Sequence, residues 1–384
     1  MAMALFRIAT SIFLLASSTS AFTSPSGIIS SNRVGAWKTR STDHIGNFNF
    51  HPNKYYYDAP SAITTSTSLA ALPISSTIPT IDISRTFIGL LLARKISNSG
   101  YKKRSLSKSG AISAFLVASF SLATSFRNGL TLLAFYWTSS KLTRVGSKIK
   151  GKLEEGHTEG GERGASQVFA CSLIAVLCAC VRRIIVGSDG PLSSSLLFNG
   201  VDLLGDQLTL AYVAFFACCA GDTWASELGV LSKSKPRLII KPWKKVPPGT
   251  NGGVSFVGLA ASAAGGTLMG LLHGLLVPGG IASLLPFNLP SISLAAFRRE
   301  VLILSLVGFI GGFGGSLLDS FLGATIQVTY YDNEEKKIVK RAGPNATRVG
   351  GLAFLSNEMV NVVSTALSAL IAALTARSLL SIML

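Results

Sequence analysis

From residue 81 to the end of the chain, apolar runs alternate with basic loops. That alternation restricts the chain to a fold that crosses a membrane several times. The runs fall near 81–93, 109–125, 128–140, 167–182, 206–220, 253–277, 300–326 and 351–376. Basic clusters occupy 94–108, 141–163, 233–245 and 336–348. Two runs separate each neighbouring pair of clusters. Two crossings return a chain to its starting side, so all four clusters share one face, as the positive-inside rule requires. The opposite loops hold only Arg127, Arg182, Arg183, Arg298 and Arg299. Residues 79–384 are therefore expected to form an all-α integral-membrane domain, a polytopic bundle of about eight transmembrane helices in a lipid bilayer. The stretch 278–299, with Pro278, Pro286 and Pro290, reads as a loop or re-entrant piece.

Composition agrees. Charged residues make up 14% of the chain, against about 25% in a soluble one. The net charge is +17, yet the lysines sit between apolar runs and no nucleic-acid motif accompanies them, so no nucleic-acid partner is expected. Cys171, Cys178, Cys180, Cys218 and Cys219 all lie in apolar runs and read as packing residues.

The first 78 residues are excluded from the fold. Residues 1–21 hold Arg7, a short apolar core and small residues ending at Ala21, the pattern of a signal peptide. Residues 22–78 are rich in Ser and Thr, carry Arg33, Lys38, Arg40 and Lys54, and have only Asp43 and Asp58 as acids. That is transit-peptide composition. A signal peptide ending before Phe22 and followed by such a stretch predicts delivery to a plastid membrane. The alternative is a secretory leader, a disordered tail and the endoplasmic reticulum membrane.

Glycines crowd two runs: Gly265, Gly266 and Gly270 in one, and Gly308, Gly311, Gly312, Gly314, Gly315 and Gly323 in the next. Small residues let membrane helices approach closely.

Three polar clusters interrupt the apolar runs. The first is Asp222, Ser226 and Glu227; on a helix, Ser226 shares the face of Asp222 at i+4 while Glu227 lies well round it. Either Asp222 is a metal-binding carboxylate, or Asp222 or Thr223 only caps a helix. The second is Ser316, Asp319, Ser320, Thr325 and Gln327. An intramembrane carboxylate is costly and so points to function, or else to a helix–helix hydrogen bond. The third is Asn357, Glu358 and Asn361, with the two asparagines on one helical face. Counting crossings brings all three clusters to the basic face. The loop through Lys244, Lys245, Gly249, Thr250, Asn251, Gly252 and Gly253 is cationic, then glycine-rich. It suits phosphate oxygens, although inside-positive charge alone explains its lysines. The loop 139–167, with Gly160, Gly161 and Arg163, is similar, but it also carries Glu154, Glu155, Glu159 and Glu162 and reads alternatively as only a solvated loop.

Several motifs in these stretches are those of a known family. They are Gly221-Asp222-Thr223-Trp224-Ala225-Ser226-Glu227-Leu228-Gly229, Lys245 through Val254, Ser107-Lys108-Ser109-Gly110, Thr138-Ser139-Ser140-Lys141-Leu142-Thr143, and Gly315 through Ser320. Together they resemble the transmembrane protein 19 family over roughly residues 80–380. The resemblance implies an integral-membrane helical protein. It also implies similarity to the plant plastid phytyl-phosphate kinases, which make phytyl diphosphate for tocopherol and related prenyl lipids. On that implication, a phosphoryl group passes from a nucleotide triphosphate to a prenyl-phosphate substrate. Such transfer needs positioning and charge neutralisation more than covalent chemistry. Asp222 and Asp319 would then bind Mg²⁺, with Glu227 supporting them. Ser226, Lys244, Lys245, Gly249, Thr250, Asn251, Gly252, Asn357 and Asn361 would contact phosphates or substrate. The glycine-lined bundle would take the lipid tail. The competing readings are a transporter for an anion or lipid, against which stands the lack of an internal repeat, and a structural membrane protein.

Overall fold

The computed structural model describes residues 83–153, 155, 161–187, 189–193, 200–284, 292–339 and 341–382. Residues 1–78, where the two leader segments are expected, lie outside them, as do Glu154, Glu159, Gly160, Pro286 and Pro290. In chain order the helices are α1 (Ile83–Lys102), α2 (Lys108–Thr124), α3 (Phe126–Arg144), α4 (Ser147–Leu153), α5 (Ala165–Ala170), α6 (Leu173–Val186), α7 (Gly200–Gly229), α8 (Phe256–Leu275), α9 (Leu294–Ile326) and α10 (Asn357–Ile382). Every apolar run expected from the sequence falls on a helix. The run 167–182 is broken, however, into α5 and α6, where the Ser172 hydroxyl donates to Val168 O at 2.6 Å. Among the described residues, α7, α8, α9 and α10 are long and apolar enough to cross a membrane, and α2 is a shorter apolar helix.

Serines start these helices. The side chains of Ser107, Ser125, Ser255 and Ser293 accept from the backbone N–H groups of Gly110, Asn128, Gly258 and Ala296. Each satisfies one of the donors that a helix N-terminus leaves unpaired.

The centre is α7, whose residues Leu208 to Gly221 are buried without interruption. A helix apolar all round must be enclosed by neighbours, and α3, α6, α8, α9 and α10 pack around it. The closest packing uses the glycines. A Cβ on Gly270 would lie 1.9 Å from Leu304 O, one on Gly308 2.4 Å from Gly266 O, and one on Gly221 2.5 Å from Gly312 O. Backbone therefore meets backbone along this seam, and the expected lipid slot between the glycines is filled by helices. Gly314 is the exception, with open space around it.

The fold is helical as expected, with one departure. Two of the basic loops are small antiparallel sheets. Strands β1 (Arg237–Leu238), β2 (Lys241–Lys245) and β3 (Gly253–Val254) form one sheet in the order β2-β1-β3. Strands β4 (Thr329–Asp332), β5 (Lys337–Val339) and β6 (Ala346–Gly350) form the other in the order β5-β4-β6. Pro242 sits in an edge strand, where a missing N–H is tolerated. The β4 sequence Thr-Tyr-Tyr suits a pleated surface.

The four basic loops touch one another, so they do occupy one end. Arg163 N–H donates to Ser105 O at 3.1 Å and Ser107 N–H to Arg163 O at 3.0 Å. Glu155 N–H donates to Ile338 O at 2.9 Å. Asn251 N–H donates to Thr329 Oγ1 at 3.2 Å.

At the other end a second polar cluster is built around Arg127 and Glu300, whose side chains are each only 1% exposed and form an ion pair. Arg127 Nε donates to His273 O at 2.7 Å. Leu192 N–H donates to Glu300 Oε2 at 2.7 Å. Arg127 and Arg182 both face Asp189 Oδ1 at 3.6 Å, and Ser125 Oγ donates to Asp189 Oδ2 at 2.6 Å. Arg299 donates to the carbonyls of Leu192 and Ser193. Three of the arginines expected on the less basic face, Arg127, Arg182 and Arg299, thus become a clamp between α3, α6, α9 and the segment 189–193.

Candidate functional site

A cavity of about 570 Å³ opens among α2, α3, α7, α9, α10 and the loops of the basic end. It has a polar half and an apolar half. Asp222, Asp319 and Asn361 contribute from α7, α9 and α10. The turn Pro248 to Gly253 covers them. The apolar half is lined by Ala114, Val117, Leu132, Phe135 and Phe216, from α2, α3 and α7. Its volume lies within the range of small-molecule pockets, and the mix of apolar wall and convergent polar groups is what such pockets have.

Asp222 lies in the last two turns of α7, which runs on to Gly229, so it does not cap a helix. Its carboxylate has no hydrogen-bond or ion-pair partner among the described residues. Asp319, in the second half of α9, accepts from Ser364 Oγ at 2.7 Å through one oxygen only. Both aspartates also line a small crevice with Thr223, Asn361 and Thr365. An unpaired carboxylate in a polytopic bundle is expensive unless it serves a ligand.

Glu227 is placed differently. Lys150 Nζ donates to its Oε2 at 2.5 Å and Thr143 Oγ1 to its Oε1 at 2.7 Å. Both oxygens are taken, so Glu227 ties α7 to the end of α3 and to α4. It is a buttress beside the two aspartates.

The covering turn is shaped by two left-handed glycines, Gly249 at φ +85° and Gly252 at φ +73°. A Cβ on Gly252 would lie 2.4 Å from Ala324 Cβ and 2.6 Å from Ser320 O. Only glycine lets this turn sit directly on α9 beside Asp319. Asn251 Nδ2 donates to Val328 O at 3.3 Å, and Thr250 Oγ1 donates to Pro247 O at 2.7 Å. Asn357 accepts from Gln327 Nε2 at 3.3 Å. Ser226 Oγ donates to Thr223 O at 3.0 Å.

Of the residues singled out from the sequence, Asp222, Ser226, Glu227, Gly249, Thr250, Asn251, Gly252, Asp319, Asn357 and Asn361 all line this one cavity. Lys244 and Lys245 do not. They lie on β2, an edge strand exposed along its whole length, where inside-positive charge accounts for them. Sequence reasoning missed Lys150 and Thr143 as lining residues, and it placed Gln327 and Arg163 in a polar cluster and a loop without giving either a role in the site. The loop 139–167 that carries three of them looked like solvated charge because its four glutamates offset most of its six cations. The available signal was that its flanks hold the motif Thr138 to Thr143.

Two carboxylates facing one cavity, with hydroxyl and amide oxygens beside them, are a hard-oxygen donor set. Among the described residues no three His, Cys, Asp or Glu side chains gather as a metal site.

The pattern of the family described as integral membrane protein DUF92 matches residues 91–369, which contain the whole cavity. The chain belongs to this family. Protein PGR of Arabidopsis thaliana is similar to it, 37% identical over 287 residues, 74% of this chain and 93% of that protein. An uncharacterized membrane protein of Synechocystis sp. is 31% identical over 216 residues, 54% of this chain and 78% of that one. An uncharacterized membrane protein of Methanocaldococcus jannaschii is 29% identical over 271 residues, 70% and 92% of the two chains. No solved structure matches. The DUF92 match begins at residue 91, beyond residues 1–78, so the family region is the helical domain.

Proposed function

We propose that this DUF92 chain is a membrane-embedded isoprenoid-phosphate kinase that crosses the bilayer eight times. It moves the terminal phosphoryl group of a nucleotide triphosphate onto a prenyl monophosphate such as phytyl phosphate. The observation that supports this most is the pairing of the unpartnered Asp222 with Asp319 at the polar end of a cavity whose other end is apolar. A prenyl phosphate has the same two-part chemistry. Its tail suits the wall formed by Val117, Leu132, Phe135 and Phe216, and its head suits the end that holds the aspartates.

Mg²⁺ is held by one or two carboxylates together with phosphate oxygens, and Asp222 and Asp319 are the residues that would hold it. Bound there, it would neutralise phosphate charge. Asn361, Thr250 and Asn251 flank the polar end and orient the head group. A monophosphate acceptor supplies its own nucleophilic oxygen, so no general base is required of the chain. The two-part leader supports placement in a plastid membrane.

The test is an assay of purified protein in lipid with phytyl phosphate and each nucleotide triphosphate in turn. Diphosphate formation is the expected result. No turnover with any prenyl phosphate would end the kinase reading and leave transport as its rival.

A further inference from the structure

The cavity has positive charge at two places among the described residues, Lys150 and Arg163, and they are not equivalent. Lys150 is spent. Its three donors go to Leu142 O at 2.9 Å, Thr143 O at 3.3 Å and Glu227 Oε2 at 2.5 Å. An ammonium group has only three. Its charge is neutralised by Glu227.

Arg163 is the reverse. It forms no ion pair with any described residue. Its guanidinium donates to two neutral hydroxyls, from Nη1 to Ser140 Oγ at 2.8 Å and from Nη2 to Thr143 Oγ1 at 3.5 Å. A guanidinium carries five N–H donors, so Nε–H and a second proton on each terminal nitrogen remain. The residue is half-buried and lines the same cavity as Asp222 and Asp319.

Its position is fixed by backbone. Leu106 and Arg163 form a parallel bridge, with Arg163 N–H donating to Ser105 O and Ser107 N–H to Arg163 O. A Cβ on Gly110 would lie 2.0 Å from Arg163 O. The stretch Ser107-Lys108-Ser109-Gly110, which has no other part in the site, therefore seats Arg163. The stretch Thr138 to Thr143 supplies the two hydroxyls that aim its side chain. Two separate motifs converge on one cation that has no counter-ion among the described residues.

We propose that Arg163 is the anion-binding cation of the cavity and holds a phosphate of the ligand through its free N–H donors. This rests on the reading that the ligand is phosphorylated, but not on its being turned over. A guanidinium with parallel free donors matches phosphate oxygens two at a time. The partner could be the prenyl monophosphate or the nucleotide triphosphate, since both present the same group.

Ligand binding separates them. Thermal unfolding of the purified protein in lipid nanodiscs is followed with phytyl phosphate alone, with a nucleotide triphosphate alone, and with phytol as the uncharged control. A ligand that binds the folded state raises the midpoint. Arg163→Gln is expected to unfold without ligand at the wild-type temperature and to bind one phosphate ligand ~10–100-fold more weakly. The ligand affected names the source of the phosphate. Arg163→Lys keeps the charge and loses the fork, so it should fall between the two. If Arg163→Gln is too unstable to purify, Arg163→Lys carries the measurement, and wild-type affinity for every phosphate ligand in that variant overturns the proposal. Equal binding by wild type and Arg163→Gln overturns it while leaving the kinase reading intact. Loss of binding in Arg163→Gln with no turnover in the wild type supports it and removes the kinase. A wild type stabilised by none of the phosphates overturns both.

Discussion

The two ends of the bundle carry the same kinds of residue and use them in opposite ways. At the clamp end each carboxylate oxygen has a partner: Glu300 takes Arg127 and Leu192 N–H, Asp189 takes two arginines and Ser125, and Asp206 takes Ser193 N–H through both oxygens. At the cavity end, among the described residues, Asp222 has none and Asp319 has one. Glu300 and Asp319 stand 19 residues apart (319 − 300) on α9. That is about 28 Å at 1.5 Å per residue, close to the thickness of a bilayer's hydrocarbon core. One polar cluster therefore lies at each end of the bundle, about the thickness of a bilayer core apart. The difference shows that charge in an apolar bundle is not itself a sign of function. What distinguishes a site is charge that the fold has left open.

The sharpest way to break this comparison is to open the clamp. Glu300→Leu would leave the buried Arg127 with only Asp189, 3.6 Å away and shared with Arg182, as counter-charge, and removing one member of a buried pair costs about 3–5 kcal/mol. Arg127→Met should do the same. The double variant should cost less than either single change, because no charge is then left unpaired. Thermal unfolding in detergent measures all three, and turnover per folded molecule should stay at the wild-type value. A folded Glu300→Leu protein without activity would make the clamp part of the site.

The converse change is at the cavity. Asp222→Asn keeps the size of the side chain and removes the charge. It should cut turnover by at least about 100-fold, the scale for losing one preorganised electrostatic contact in a reaction, while stability holds or rises. Asp319→Asn should lose as much activity, and the amide still accepts from Ser364. Assays at saturating substrate together with unfolding midpoints check both. Full activity in the two variants would mean that the open carboxylates are not catalytic, and the contrast between the ends would lose its functional meaning.

The contrast was only half legible in the sequence. Asp222, Asp319 and Asn361 could be gathered by counting crossings, because basic loops report their side through simple electrostatics. The clamp could not. Arg127, Asp189 and Glu300 are separated by long stretches of chain, and no periodicity links them. Arg299 was visible as loop charge, not as a donor to the carbonyls of Leu192 and Ser193. The small sheets escaped for a similar reason: strands of two to five residues are too short to set up an alternation. The glycines were read correctly as sites of close approach, and of those named in the two runs only Gly323 also lines the cavity, since the same absence of a side chain serves both. Lys150 and Arg163 were hidden by neighbouring glutamates, which made a structured loop look like solvated charge.

The smallest effect is expected from the lysines that sequence alone favoured. Lys244 and Lys245 project from an exposed edge strand and line no part of the cavity. Charges on such a strand act on a ligand only through solvent, and at 0.15 M salt the screening length is about 8 Å. The double variant Lys244→Ala/Lys245→Ala should therefore change KM for either phosphate ligand by less than about 2-fold at physiological salt. At low ionic strength the loss should grow, because exposed charge steers an anion before it binds. Arg163→Gln should instead weaken binding at every salt concentration, since its contact is direct. A KM raised ten-fold at physiological salt by the lysine pair would bring β2 over the cavity mouth. The anion contact would then be shared between the sheet and Arg163, and the cavity end would be built partly from solvated charge, which the clamp end excludes.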